Sequence, residues 1–213
     1  MKTDDLVSML ATGTDAVDAK APTRRYVIAV GGAALVATVL MALWLDVRPT
    51  LARDAIVPMF WVKELFCVTL VIAGLIAVAR LSRPGAALVW VPPLAAAPII
   101  AMWLLAAAVL VAADPEGRID LIRGVSWTEC PYNIVVLSAP VFAAILWAMK
   151  GLAPTRLRLA GAAAGFAAGA IGALVYTLHC PELDAPFLAI WYVSGILVPA
   201  AFGACVGPRL LRW

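Results

Sequence analysis

Two Cys-Pro steps contain the residues whose types and spacing are best suited to chemistry. Cys130 lies in TECPYN, and Cys180 lies in LHCPEL, fifty positions later. Two thiols that meet in space can form a disulfide, and thiolates with an imidazole suit soft ions such as copper(I), zinc or cadmium. His179, the only histidine, precedes Cys180 directly, and Glu129 and Glu182 flank the pair. The alternatives left open are a disulfide, a metal site that includes the flanking residues, and two inert thiols.

The elements that must position these thiols are membrane helices. The chain of 213 residues is 64% hydrophobic and 14% charged, whereas soluble domains are about half apolar and a quarter charged. A bilayer is spanned by about 20 apolar residues. Five uncharged runs reach that length, and a sixth is interrupted only by Lys63 and Glu64; the runs are 26–45, 58–79, 86–113, 130–149, 159–178 and 187–206. The sequence therefore predicts an all-α bundle of six transmembrane helices.

The lengths of the fourth and fifth runs place the two thiols at one depth. Cys130 opens the run 130–149, and Cys180 follows the run 159–178, which is of equal length. At about 1.5 Å per residue, both cysteines should emerge at nearly the same level. Consecutive helices joined by a short loop usually pack as antiparallel neighbours. We therefore expect Cys130 and Cys180 to lie close together at the outer membrane edge.

The distribution of cations predicts the orientation. Eleven of the 16 Lys and Arg residues fall in the two termini and in the loops after the second and fourth runs, and four fall in the alternate loops. Positively charged loops stay in the cytoplasm. Both termini are therefore predicted to be cytoplasmic, which places the two Cys-Pro steps on the far side.

Residues 1–25 form the only sizeable polar segment, and its start has the pattern of a short amphipathic helix. Acidic residues suit the first turn of a helix because of its dipole, and apolar residues then recur at helical spacing. The residues concerned are Asp4, Asp5, Leu6, Val7 and Leu10. A single short helix cannot form a core of its own, so it either lies on a surface or binds a partner. A disordered terminus is the alternative left open.

Small residues inside the spans favour tight helix packing. Gly161, Gly165 and Gly169 repeat every four residues in GAAAGFAAG, a spacing that lets two membrane helices approach closely. Cys67 and Cys205 fall inside spans and are predicted to be small packing residues. The prolines within the later spans are expected to kink or break them.

Charged and aromatic residues in PMFWVKELF lie near the outer end of the second span. Lys63 is expected to extend toward the membrane–water interface in a structural role. Phe60 and Trp61 are predicted to anchor the helix at this interface. The sequence contains no CxxC, HExxH, GxSxG or P-loop motif, and such motifs are the usual signs of a catalytic site. A non-enzymatic protein is therefore predicted.

Several irregular segments, taken in order, resemble the negative regulator of sigma F (NrsF) family. They are MKTDDLV, PMFWVKELF, RLSRPG, GVSWTEC, LSAPVF, APTRLRLAGAAAGFAAGA, LHCPE, IWYVSG and LLRW. The resemblance implies a six-span anti-sigma factor that holds an extracytoplasmic-function (ECF) sigma factor inactive at the bacterial inner membrane. It implies release on metal or oxidative stress through two periplasm-facing cysteines, which Cys130 and Cys180 match. It also assigns sigma contact to the opening helix.

The sequence and the resemblance together predict a sigma-binding arm at 1–25, a six-span sensor at 26–206 and a tail at 207–213. The expected partners are an ECF sigma factor and membrane lipid, without direct contact to nucleic acid. No cofactor is required, although a soft metal ion can bind the thiol pair transiently. The alternatives are a thiol oxidoreductase, which would need a CxxC pair and a quinone site, and a metal transporter, which would need polar ligands within the spans.

Overall fold

The computed structural model of the protein describes residues 3–11, 21–83, 85 and 89–212. Within these residues every regular element is a helix. In chain order the helices are α1 (Thr3–Ala11), α2 (Ala21–Trp44), α3 (Leu51–Asp54), α4 (Pro58–Leu81), α5 (Val91–Ala112), α6 (Arg118–Arg123), α7 (Glu129–Met149), α8 (Leu157–Tyr176), α9 (Ala185–Phe187), a π-helical turn (Leu188–Tyr192) and α10 (Val193–Leu210).

Six helical stretches of the described chain are long and apolar enough to cross a membrane. They are α2, α4, α5, α7, α8 and the last stretch, Ala185–Leu210, in which α9, the π-helical turn and α10 follow one another directly. The prediction of an all-α six-span architecture is confirmed, and the protein is a multi-pass membrane protein. The first span, α2, begins at Ala21, a few residues before the uncharged run, so Pro22 lies in its first turn, where a missing N–H costs little.

The six spans alternate in direction, so the loops fall at two ends of the bundle. Loops 45–57, 113–128 and 177–184 lie at one end, which we call the thiol end because it carries Cys180. The opposite end is where α2 begins and α10 finishes, and we call it the arm end because α1 precedes α2 there. Loop 177–184 connects α8 to the last span, and it is the segment that the candidate site is built around.

Helix α8 is the centre of the bundle because its side chains are small. Its sequence is LRLAGAAAGFAAGAIGALVY, and it packs against α4, α7 and α10. A Cβ atom at Gly169 would lie 2.8 Å from the carbonyl oxygen of Ile196, and one at Gly165 would overlap the carbonyl of Pro199. Gly161 faces the backbone of α10 in the same way. The glycines spaced by four residues therefore form the α8–α10 interface, where the two backbones are in direct contact.

We expect Gly165→Val to destabilise the protein because the added methyl groups would meet the α10 backbone, which cannot move aside as a side chain can. Overpacking of this kind costs about 1–3 kcal/mol. The measurement is thermal unfolding in detergent. Gly31→Val is the matched control, since a Cβ atom at Gly31 in α2 would meet nothing within 4 Å. An equal Tm for the two variants would contradict the packing described here.

Helices α5, α7 and α10 continue through Pro98, Pro140 and Pro199 without ending, as transmembrane helices can when the surroundings satisfy the freed backbone groups. These prolines therefore do not break their spans, and the kinks expected of them stay a prediction. Cys67 is fully buried as expected, but Cys205 is exposed on the outer surface of α10. The packing prediction for Cys205 is wrong because the neighbouring glycines of α10 turn toward α8 and leave position 205 on the opposite side of the helix.

Candidate functional site

The two Cys-Pro thiols meet at the thiol end of the bundle. Cys130 lies in the first turn of α7, and Cys180 lies in loop 177–184. Their thiols lie close enough to interact with each other, and both are free cysteines with no exposed surface. The proximity expected from the equal span lengths is therefore present. The thiols do not lie open at the membrane edge, because loop 177–184 folds inward between the helices.

Lys63 fixes this loop from the side of α4. Its side chain has no exposed surface, and its Nζ atom donates to the carbonyl oxygens of Cys180 at 2.9 Å and Glu182 at 3.0 Å. The ring centroid of Tyr192 lies 5.0 Å from the same nitrogen. The expectation that Lys63 extends outward is therefore wrong. Its ammonium turns inward because loop carbonyls, unlike helix carbonyls, lack backbone partners and need a donor when buried.

Arg48, in the loop between α2 and α3, contacts the same loop. Its backbone N–H donates to the carbonyl of Leu178 at 3.1 Å, and its guanidinium donates to the carbonyl of Cys180. The guanidinium also pairs with Asp54 at 3.4 Å and lies over the ring of Phe60. Phe60 is therefore buried beneath Arg48 and is not an interfacial anchor. Two buried cations, Arg48 and Lys63, thus share one acceptor at Cys180.

The π-helical turn brings an aromatic residue to the thiols. Tyr192 closes this turn and has no exposed surface. Its hydroxyl faces the Cys180 thiol and has no conventional hydrogen-bond partner among the described residues. Turns of this type occur often at functional sites. The sequence IWYVSG carries no recognisable signal for it, and Tyr192 was missed by the sequence analysis.

The residues that were predicted as further metal ligands have other partners. The carboxylate of Glu182 accepts the N–H groups of Val125 at 2.7 Å and Ser126 at 3.3 Å, so it caps the loop before α7. The Nδ1 atom of His179 lies 2.9 Å from the carbonyl oxygen of Asp46. Glu129 is exposed in the first turn of α7.

The donor set around the thiols bears on the metal hypothesis. In the part of the chain that the structure describes, no three His, Cys, Asp or Glu side chains converge in a way that could hold a metal ion. The two touching thiols are thus the donors that the geometry offers to a soft ion, which prefers thiolate. A metal role for His179, Glu129 and Glu182 stays a prediction.

The electrostatics of the pair make its two thiols unequal. The hydrogen bond from the Cys130 thiol, with the nearby Lys63 ammonium as a further cause, lowers the pKa of Cys180 below that of an ordinary cysteine. The thiolate is the reactive form of cysteine, both as a nucleophile and as a metal ligand. Cys180 is therefore the member of the pair that is better suited to react first.

The opening helix α1 presents apolar side chains without burying them. Asp4 and Asp5 occupy its first turn, as the helix dipole favours. Leu6 is 41% exposed and Val7 is 59% exposed. The side chain of Leu10 lies outside the described residues. These exposed aliphatic side chains are available for burial by another molecule.

Fold and site together define a class: a six-span helical membrane protein with a buried thiol pair at one end and an amphipathic helix preceding the first span at the other. The family model described as "Negative regulator of sigma F" matches residues 10–213. The chain belongs to this family of anti-sigma factors.

Two curated relatives match the chain along its whole length. It is 52% identical to the probable anti-sigma-F factor NrsF of Azospira oryzae over 213 residues, which cover both chains completely. It is 38% identical to the anti-sigma-F factor NrsF of Caulobacter vibrioides over 218 aligned positions, again with complete coverage of both. Both names describe regulators. No solved structure matches the chain.

Proposed function

We propose that this anti-sigma factor holds an ECF sigma factor at the bacterial inner membrane and releases it when metal or oxidative stress modifies Cys130 and Cys180. The observation that carries the proposal is the contact of two buried thiols at the end of the bundle opposite the exposed helix α1. Family membership supplies the sigma factor as the partner. The thiols are the sensor, and α1 is the sigma-binding element.

The charge distribution supports an orientation in which the arm end is cytoplasmic. Eleven of the 16 Lys and Arg residues belong to the termini and to the two loops on the same side of the membrane as the termini, and such loops stay in the cytoplasm. A sigma factor acts in the cytoplasm, so α1 is on the side where its partner is found. The thiol end then faces the periplasm, where cysteines meet an oxidising environment.

The packing around the thiols supports a relay through the bundle. Cys130 belongs to α7, Lys63 to α4 and Tyr192 to the last span, and all three contact the Cys180 loop. These same three spans pack on α8. A disulfide or a metal bridge would pull on this loop and so bias the packing of all four helices. Release requires two packings that differ in affinity for the sigma factor.

The direct test is fractionation of cells that contain the cognate ECF sigma factor with or without this protein. We expect the sigma factor to sediment with the membranes only when the protein is present, and to move to the soluble fraction after treatment with an oxidant or a soft metal ion. The same measurement tests the orientation, because an arm in the periplasm could not capture a cytoplasmic partner. A sigma factor that stays soluble in unstressed cells would overturn the proposal.

A further inference from the structure

Lys63 is a buried cation whose neighbours are carbonyls and an aromatic ring. Among the described residues its ammonium has no carboxylate within ion-pair distance, whereas Arg48 has Asp54. The two backbone carbonyls that it contacts accept its protons but do not neutralise its charge. Charges at membrane depth are costly and are usually retained for a function. The two hydrogen bonds alone do not explain why a charged residue stands here, since a neutral amide can make them.

The ionisable groups around Lys63 indicate what the charge serves. Those with the strongest electrostatic effect on it are the thiols of Cys180, Cys67 and Cys130 and the guanidinium of Arg48. The thiols are the groups in this set that can become negative. Among them, the Cys180 thiol has the strongest electrostatic effect on Lys63, and Cys180 is also the residue whose carbonyl Lys63 contacts. The site therefore places the Lys63 ammonium beside the residue whose sulfur reacts as an anion.

We propose that Lys63 is the positioning residue of the thiol pair: its ammonium holds the Cys180 loop against α7 and is the counter-ion of an anionic sulfur at Cys180. Through Lys63, α4 takes part in the sensor together with α7 and loop 177–184. Tyr192 completes the enclosure, because its ring lies against the same ammonium. The inference rests on the proposed function, since it explains how a buried thiol becomes the reactive one.

The test is the rate at which N-ethylmaleimide alkylates Cys180 in the full-length protein in detergent, followed by peptide mass spectrometry. The thiolate sulfur adds to the carbon–carbon double bond of the reagent, and the adjacent carbon takes a proton from solvent. Lys63→Gln keeps two donors for the loop carbonyls but removes the charge. We expect it to slow alkylation of Cys180 about tenfold or more, because the thiolate fraction sets the rate. Lys63→Arg restores the charge and should restore most of the rate.

Arg53→Met is the matched control, because Arg53 is an exposed cation at the same end of the bundle, and this variant should react at the wild-type rate. If Lys63 has only a structural role, Cys180 in Lys63→Gln is alkylated as fast as in the wild type, or faster if the loop loosens. Either result overturns the proposal. An equal slowing in Lys63→Gln and Lys63→Arg also overturns it. The experiment contains no sigma factor, so its failure leaves sigma capture untouched, and a failure of sigma capture leaves the alkylation result standing.

Discussion

Leu6→Asp combined with Leu10→Asp is expected to abolish capture of the sigma factor while the protein still inserts into the membrane. The two positions are four residues apart on α1, so they lie on one face of the helix. Leu6 is substantially exposed in the protein alone, which leaves apolar area for a partner to bury. Burial of a large aliphatic side chain contributes about 1.5–3 kcal/mol, and about 1.4 kcal/mol corresponds to tenfold in affinity.

The loss of both contacts should therefore weaken binding by roughly two orders of magnitude or more. The measurement is the fraction of the sigma factor that sediments with membranes. Leu6→Met with Leu10→Met is the matched control, because it keeps the apolar volume and should bind like wild type. If the doubly charged variant still retains the sigma factor at the membrane, α1 is not the contact site and the arm assignment fails.

Cys130→Ser and Cys180→Ser are each expected to abolish induction, and the double variant should behave like either single one. Their thiols are in contact, so they act as one unit, and substitutions within one unit are not additive. In this account modified thiols trigger release. Serine at either position should therefore leave the sigma factor bound under stress, with the reporter at its unstressed level. The measurement is expression of a sigma-dependent reporter after oxidant or metal treatment.

Constitutive release in the serine variants would mean that the intact thiol pair maintains the inhibitory packing. That result would contradict the proposal that modified thiols trigger release. Cys205→Ser is the matched control because Cys205 is exposed on α10, away from the site. Cys67 is unsuitable as a second control, since it is buried and its thiol lies within electrostatic reach of Cys180. His179→Ala separates the metal stimulus from the oxidant stimulus. We expect this variant to respond more weakly to a metal ion and to respond to an oxidant nearly as the wild type does.

The spans and the meeting of the thiols could be predicted because they follow from one-dimensional properties of the chain. Apolar runs of about 20 residues cross a bilayer as α-helices, so the six runs form six helices. The thiols meet because runs 130–149 and 159–178 have equal length and a short loop joins them. The spacing of Gly161, Gly165 and Gly169 likewise depends only on the helical repeat.

The partners of individual side chains could not be predicted, because they depend on where a loop folds. Lys63 was expected to extend outward, which is the usual solution for an isolated helix end. Its actual direction is set by the inward fold of loop 177–184, whose carbonyls need donors. Glu182 has the residue type of a metal ligand, but its carboxylate caps Val125 and Ser126. The positions of these residues along the chain do not indicate which of them are in contact.

The central claim is that the state of the thiols at one end sets the affinity for the sigma factor at the other. Its most direct test is the Kd of the purified sigma factor for this protein in nanodiscs, measured with the thiols reduced and again after oxidation. We expect oxidation to raise Kd about tenfold or more, within the usual range of allosteric coupling, in the wild type but not in the Cys130→Ser, Cys180→Ser double variant. The same Kd for the reduced and oxidised wild-type protein would contradict the account.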